Sequence, residues 1–486
     1  MQQDPVSSTP LSRERLTELL GEAEAARVRR SRWQTWVFGV GLTALALGMP
    51  LERLWGPMEL GQQVAGNGER TAGLVFPAAY ALKEAFGLGA EEACFLLAAV
   101  CYGLCVPALM GMLRGIGFHH GPAAAGTLTA VFAPVAWIGS TSPLDFAPGM
   151  LGSTLLLWTL FQPRERVRSG YHWRASTTLA LAFLLRPENA LLFPAVIWAV
   201  SIHRGLGKLR GPAAGLTIAL TVTFPLFSLF TGDASRAELG WRTLDAAFAG
   251  GNGGGANFLP GLAALALGLG ASAWGIYVLL LGRRSPEESA APKWIVPWCL
   301  VALAPVVGGT PSHGPMAGFL VPAAAVGIAD WLTRIELEDT ARRWGVALVL
   351  TQVVAVSAAT LSWRSTDTLS DWRGTVSTVL EPTDVVFVDD PRALYLARVR
   401  WGLESFELDG ARTLEEMLPD ELSAEVRAGD RRLVLVAGPD ARLRPPRTSS
   451  SGALALRLPV HILVSGTLEQ VAPGEVWPQE PPPNGD

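Results

Sequence analysis

Apolar residues gather in long runs over the first three quarters of the chain, with polar residues between them. The runs lie at about 34–50, 91–113, 121–139, 146–161, 174–186, 189–202, 212–230, 258–281, 294–309, 316–333 and 344–362. A helix crossing a bilayer needs about 20 mostly apolar residues. The pattern therefore predicts a mainly α protein, a polytopic transmembrane bundle of about 11 helices.

Two runs break the pattern. Residues 174–186 and 189–202 flank "RPEN" and are short. Each arm gives about 20 Å of helix, against a hydrocarbon core of about 30 Å. Pro187 removes a backbone donor and restricts the residue before it. A hairpin breaking there would leave Arg186 and Glu188 at membrane depth. A charge at that depth costs about 2.5–3.5 kcal/mol on insertion scales and tends to mark a working site. Either the two residues pair with each other or a neighbouring helix and cap the turn, or Arg186 meets an anion in a cavity.

Beyond residue 364 the apolar runs shorten and charge rises. "DVVFVDDP" and "RRLVLVAGPD" read as short buried strands, while "PRALYLARVRWG" and "TLEEMLPDELSAEVRAG" read as helices. The alternation predicts a small α/β domain. Asp389 and Asp390 fit turn capping better than metal binding. The tail "VWPQEPPPNGD" has the composition of a disordered segment. Residues 1–33 are too polar and too long for the start of a cleavable signal; "LSRERLTELLGEAEAARVRR" has the spacing of an amphipathic helix. Three parts result: a tail over 1–33, a transmembrane domain over 34–363, and an α/β domain over 364–486.

Charge orients the bundle. Arginines and lysines collect before residue 34 and in the gaps after 161, 202, 281 and 333, whereas "TSPLD" and "GTPSHGP" have none. Basic loops are cytoplasmic. The N-terminus is thus expected in the cytoplasm and the α/β domain outside it, with the "RPEN" break pointing outward. Composition agrees with the membrane class. Hydrophobic residues make up 49% and charged residues 17%, against about a quarter charged in soluble domains. The net charge of -4 argues against a nucleic-acid partner. Cys94, Cys101, Cys105 and Cys299 lie in apolar runs without metal-site spacing and read as packing residues.

The outward side holds the remaining candidates. The first outer loop, about 51–90, carries Glu52, Glu59, Glu69 and Glu84 and ends in "LVFPAAYALKEAFG", an interfacial helix by its spacing. Glu59, just past the first span, is either a solvated loop charge or a base or metal ligand. Asp145 in "GSTSPLDFAPGM" caps the next helix or faces the same mouth. His313 in "GTPSHGPM" lies on the outer side, whereas His119, His120, His172 and His203 fall among the cytoplasmic arginines. The Gly-rich loop 232–257 is a lid or a slack connector, and no Gly-Lys-Ser/Thr makes it a phosphate-binding loop.

Together these segments resemble the GT-C class of polyprenol-phosphate-dependent glycosyltransferases, the group of protein mannosyltransferases and aminoarabinose transferases. The likeness rests on "MELGQQVAGNGER" after the first span, "FPAAYALKEAFG", "LLRPENALL" and "SHGPMAGFLVPAAA", in this order and on this side. It covers most of residues 34–362; the family's usual Arg-Tyr near the last motif is missing. The resemblance implies inverting transfer of a hexose or pentose from a polyprenyl-phosphate sugar to a glycan, lipid or protein acceptor outside the cytoplasm. Glu59 takes the position of the catalytic acidic residue, and Arg186 that of a cation for the leaving phosphate. Glu188, Asp145 and His313 fall at substrate-binding positions. Some members use a divalent metal; no ligand set stands out here, so no cofactor is assigned, although a metal is compatible. The composition suggests a high-GC bacterium and its inner membrane. A non-catalytic envelope scaffold and a transporter or flippase remain alternatives. Inverted repeats would favour the transporter; Glu59 facing away from Arg186 would favour the scaffold.

Overall fold

The computed structural model describes residues 33–49, 75–141, 146–160, 171–186, 189, 192–204, 210, 213–214, 266–281, 295–296, 298–299, 313–335, 337–365, 376, 378–388, 394, 396–407, 417–436, 460–464 and 467–471. Helix α1 spans 33–48. It is followed by α2 (Val75–Phe86), α3 (Ala90–Ile116), α4 (His120–Val131), α5 (Pro134–Ser140), α6 (Phe146–Leu160), α7 (Tyr171–Leu185), α8 (Phe193–Arg204), α9 (Ser272–Leu281), α10 (His313–Thr333) and α11 (Glu338–Ser365). By length and apolarity, α3 and the Glu338–Leu361 stretch of α11 each suffice to cross a membrane, and α4 with α5 adds one if the bent pair is one span. The predicted runs at 212–230 and 294–309 fall wholly or largely outside the described residues, as does loop 232–257.

The run 121–139 departs from the straight span expected of it. It bends by 59° between α4 and α5. Pro134 stands at the start of α5 without a backbone donor, so the α4 ladder cannot continue through it. The Tyr102 hydroxyl from α3 donates to the Val131 carbonyl at the bend. The run 258–281 also breaks. Gly270 adopts φ +56, a left-handed conformation suited to glycine. The fully buried Gln352 of α11 serves both sides of this break: its Oε1 accepts the Ala271 N–H at 2.7 Å and its Nε2 donates to the Leu269 carbonyl at 2.8 Å.

Close approaches fix how the helices run. A Cβ on Gly39 or Gly103 would strike the other glycine's carbonyl, and Thr43 Oγ1 donates to the Ala99 carbonyl, so α1 and α3 are antiparallel. Gly152 of α6 packs on Ala182 of α7, Gly318 of α10 on Phe146 of α6, and Gly345 of α11 on Ala125 and Leu332. The carboxyl ends of α1, α5, α7 and α11 therefore share one end of the bundle with the amino ends of α3, α6, α8 and α10.

The α/β domain follows α11. Strands β1 (Val385–Val388), β2 (Glu404–Glu407), β3 (Leu433–Val436), β4 (Val460–Val464) and β5 (Thr467–Val471) form one sheet in the order β2-β1-β3-β4-β5. The first four are parallel; β5 is antiparallel to β4. Central strands β1 and β3 are VVFV and LVLV, buried at every position, as strands covered on both faces require. They are the two strands expected from the sequence. The expected helices are described in part. "PRALYLARVRWG" contains a π-helix over Leu396–Arg400, closed by the Trp401 N–H on the Leu396 carbonyl and tied to β2 by Arg398 Nε on the Ser405 carbonyl at 2.8 Å. In "TLEEMLPDELSAEVRAG" helix α12 (Asp420–Ala428) follows Pro419, its N-cap. The π-helix touches α3, which joins the domain to the bundle.

Candidate functional site

The site is built where α7 stops. Arg186 follows its last residue; its backbone N–H still donates to the Ala182 carbonyl at 3.1 Å. The Asn189 N–H then donates to the Arg186 carbonyl at 3.1 Å and closes the turn. Arg186 is only 3% exposed. Its side chain lies over Gly149, where a Cβ would stand 2.5 Å from the Arg186 Cδ and 3.5 Å from Nη1. Gly149 belongs to the first turn of α6, where backbone N–H groups lack intrahelical acceptors. A guanidinium beside a helix amino end is an arrangement suited to an anion.

Asn189, 1% exposed, holds this turn. Its Nδ2 donates to the Ala182 carbonyl at 2.7 Å and makes a longer contact of 3.5 Å with the Gly149 carbonyl. Its Oδ1 is buried without a partner among the described residues. Gly152, one turn along α6, leaves room for it: a Cβ there would stand 3.1 Å from Nδ2. Across the same end, Phe146 closes on Gly139 of α5 and Gly318 of α10. Ser140 Oγ and Trp137 Nε1, both on α5, are buried with no partner among the described residues.

The sequence candidates distribute as follows. Arg186 is described and buried. Glu59, Asp145 and Glu188 lie outside the described residues, as do Glu52, Glu69, Asp389 and Asp390. His313 is the first residue of α10, and no side-chain position is described for it. Residues 49, 141, 146 and 186 and the start of α10 belong to helix ends at the Arg186 end of the bundle. Glu84 of the first outer loop lies on α2 beside Lys83 at 4.0 Å and is exposed. Among the described residues, no group of three His, Cys, Asp or Glu stands close enough to hold a metal ion. Gly149, Gly152 and Asn189 were missed in the sequence. Asn189 stood inside "RPEN", and the i, i+3 glycines of "APGMLGS" have the spacing of a close helix contact.

The α/β domain has a second buried charge. Asp384, with no exposed side-chain area, accepts Arg432 Nε at 2.8 Å and Nη2 at 2.9 Å, and the Glu381 N–H at 2.7 Å. The Asp384 hydrogen bond holds the Arg432 pKa above its ordinary value against the opposing effect of burial. His461 on β4 sits near this pair. Burial, then the Arg432 charge, push its pKa below the ordinary 6.5, while a hydrogen bond with the Leu433 backbone and the Asp384 carboxylate pull the other way. Its Nδ1 is buried and has no partner among the described residues.

No protein-family model matches the chain, and no curated protein matches it in sequence. Among solved structures, the fold is similar to ArnT from Cupriavidus metallidurans bound to undecaprenyl phosphate. That match has 15% identity and a TM-score of 0.56 over 81% of this chain and 91% of that one. The apo state of the same protein matches at 13% identity and a TM-score of 0.51, over 82% and 92%. The likeness is one of fold, and it bears out the resemblance to the GT-C class.

Proposed function

We propose that the chain is a GT-C type membrane glycosyltransferase that moves a sugar from a polyprenyl-phosphate donor to a glycan, lipid or protein acceptor on the extracytoplasmic face. The observation that carries this reading is Arg186: a buried cation at a helix break, against the first turn of α6. The ArnT structure that shares this fold holds undecaprenyl phosphate. Among side chains, the guanidinium suits phosphate by its forked donors and permanent charge.

In the proposed reaction the acceptor hydroxyl oxygen attacks the anomeric carbon from the face opposite the phosphate. Glu59 takes the hydroxyl proton. The bond between the anomeric carbon and the phosphate oxygen breaks, and the electron pair leaves with the polyprenyl phosphate. Arg186 meets the charge that develops there; Glu188, Asp145 and His313 contact the donor. The reaction inverts the anomeric centre and needs no metal for balance. The charge pattern of the loops supports an outward-facing site in an inner membrane.

The test is transfer from a panel of radiolabelled polyprenyl-phosphate sugars in membranes carrying wild type, Glu59→Gln or Arg186→Ala. Wild type is expected to transfer label, and each variant to lose about 100-fold. Failure of wild type with every donor overturns the reading. Unchanged transfer in both variants overturns the site.

A further inference from the structure

We propose that Asn189 is a positioning residue that sets where Arg186 presents its charge to a lipid-linked phosphate. The proposal rests on the transferase reading above and goes beyond it by adding a residue that acts through another.

A carbonyl oxygen has two acceptor sites. At Ala182, in the last turn of α7, the Arg186 N–H takes one at 3.1 Å and Asn189 Nδ2 takes the other at 2.7 Å. Its backbone N–H donates to the Arg186 carbonyl at 3.1 Å. Arg186 is thus tied at both its N–H and its carbonyl to groups that Asn189 also engages. The longer contact of Nδ2 with the Gly149 carbonyl aligns the turn on α6, the helix whose glycine receives the Arg186 methylenes. Both carbonyls can only accept, so the carboxamide must present its NH2 to them. A carboxylate could not donate there, and an apolar side chain would leave the Ala182 oxygen with one partner fewer.

A residue that merely stabilised the turn would act whether or not Arg186 carried a charge. A positioning residue acts only through Arg186. Coupling between the two positions separates these cases.

The experiment uses the full chain in detergent and undecaprenyl phosphate alone as probe. Its dissociation constant is measured by native mass spectrometry for wild type, Arg186→Ala, Asn189→Ala and Asn189→Leu, and for each Asn189 change combined with Arg186→Ala. Leu keeps the branched shape of Asn without its donor, so it serves as the second variant where Ala loosens the turn. Thermal melting accompanies every sample. We expect both Asn189 variants to bind about tenfold more weakly with melting temperatures close to wild type. In the Arg186→Ala background we expect neither to weaken binding further. Binding unchanged in both Asn189 variants, while Arg186→Ala is weakened, overturns the proposal and leaves the transferase reading standing. Losses that add in full to that of Arg186→Ala also overturn it, since Asn189 would then act on the fold. Absence of binding by wild type, or wild-type binding by Arg186→Ala, removes the phosphate reading itself and the proposal with it.

Discussion

The Arg186 side chain fills the space that a Cβ at Gly149 would occupy. That Cβ would lie 2.5 Å from the Arg186 Cδ and 3.4 Å from its Cβ. Neither neighbour is the free tip of a flexible chain, because Arg186 is held at its backbone on both sides. Gly149→Ala should therefore shift the guanidinium. Overpacking of this kind costs about 1–3 kcal/mol, and sugar transfer should fall by about tenfold or more, in proportion to the misplacement. Gly41→Ala is the control: nothing stands within 4 Å of a Cβ there, so melting temperature should hold or rise slightly and transfer should not change. Parallel melting and transfer assays decide the matter; equal behaviour of the two variants would count against a tight Arg186–Gly149 contact.

The break at "RPEN" was legible because proline and two charges coincide inside one apolar run; proline alone does not decide, since Pro107 and Pro322 lie inside continuous helices. The ends of α3, α6 and α10 were legible because burial in hydrocarbon demands long apolar runs. The bend at Pro134 and the break at Gly270 were not. Both lie inside runs that stay apolar, and the groups that meet their open backbone atoms, Tyr102 and Gln352, lie far off in sequence. Arg186 could be chosen by its charge alone. Asn189 could not be weighed without knowing that Gly149 and Ala182 would come to it. In the α/β domain the buried runs gave β1 and β3, whereas the π-helix depends on an i to i+5 closure that spacing does not announce.

Gln352 is expected to matter far more than its place in the apolar part of α11 suggests. It meets the Ala271 N–H and the Leu269 carbonyl at 2.7 and 2.8 Å, and Ser272 Oγ at 3.4 Å. Gln352→Leu keeps the volume and strips both backbone groups of their partner. Each unmet buried group costs about 1–3 kcal/mol, so detergent melting should drop clearly. Gln352→Glu keeps an acceptor for Ala271 but places a carboxylate against the Leu269 carbonyl, and should fare no better. A melting temperature unchanged in Gln352→Leu would show that the break at Gly270 holds itself.

The Asp384–Arg432 pair should show the asymmetry of a buried charge. Asp384 has no exposed side-chain area, while Arg432 keeps 30%. Arg432→Ala strands a carboxylate away from water and should destabilise the domain by about 3–5 kcal/mol. Replacing both, as Arg432→Met with Asp384→Leu, should cost less than the single change. Hydrogen exchange of the β1 and β3 amides in the full chain reads both. Equal loss of protection in the single and double variants would place the stabilisation in packing rather than in the pair.

His461 should make the same domain sensitive to mild acid. Its pKa is lowered in the folded chain by burial and by Arg432, while the unfolded chain keeps the ordinary value of about 6.5. Above that value both states are neutral and the full stability is present. As pH falls below it, the unfolded chain takes the proton first, so stability falls with pH until the folded state also protonates. Protonation in place would set a second cation beside Arg432 and act against the bond that Arg432 makes with Asp384. The difference between wild type and His461→Gln isolates the imidazole. Amide exchange in Val460–Val464, corrected for intrinsic rates, should quicken between pH 7.5 and 5.5 in wild type and much less in His461→Gln. Parallel curves for the two proteins would mean that the acid response, if any, belongs to other groups.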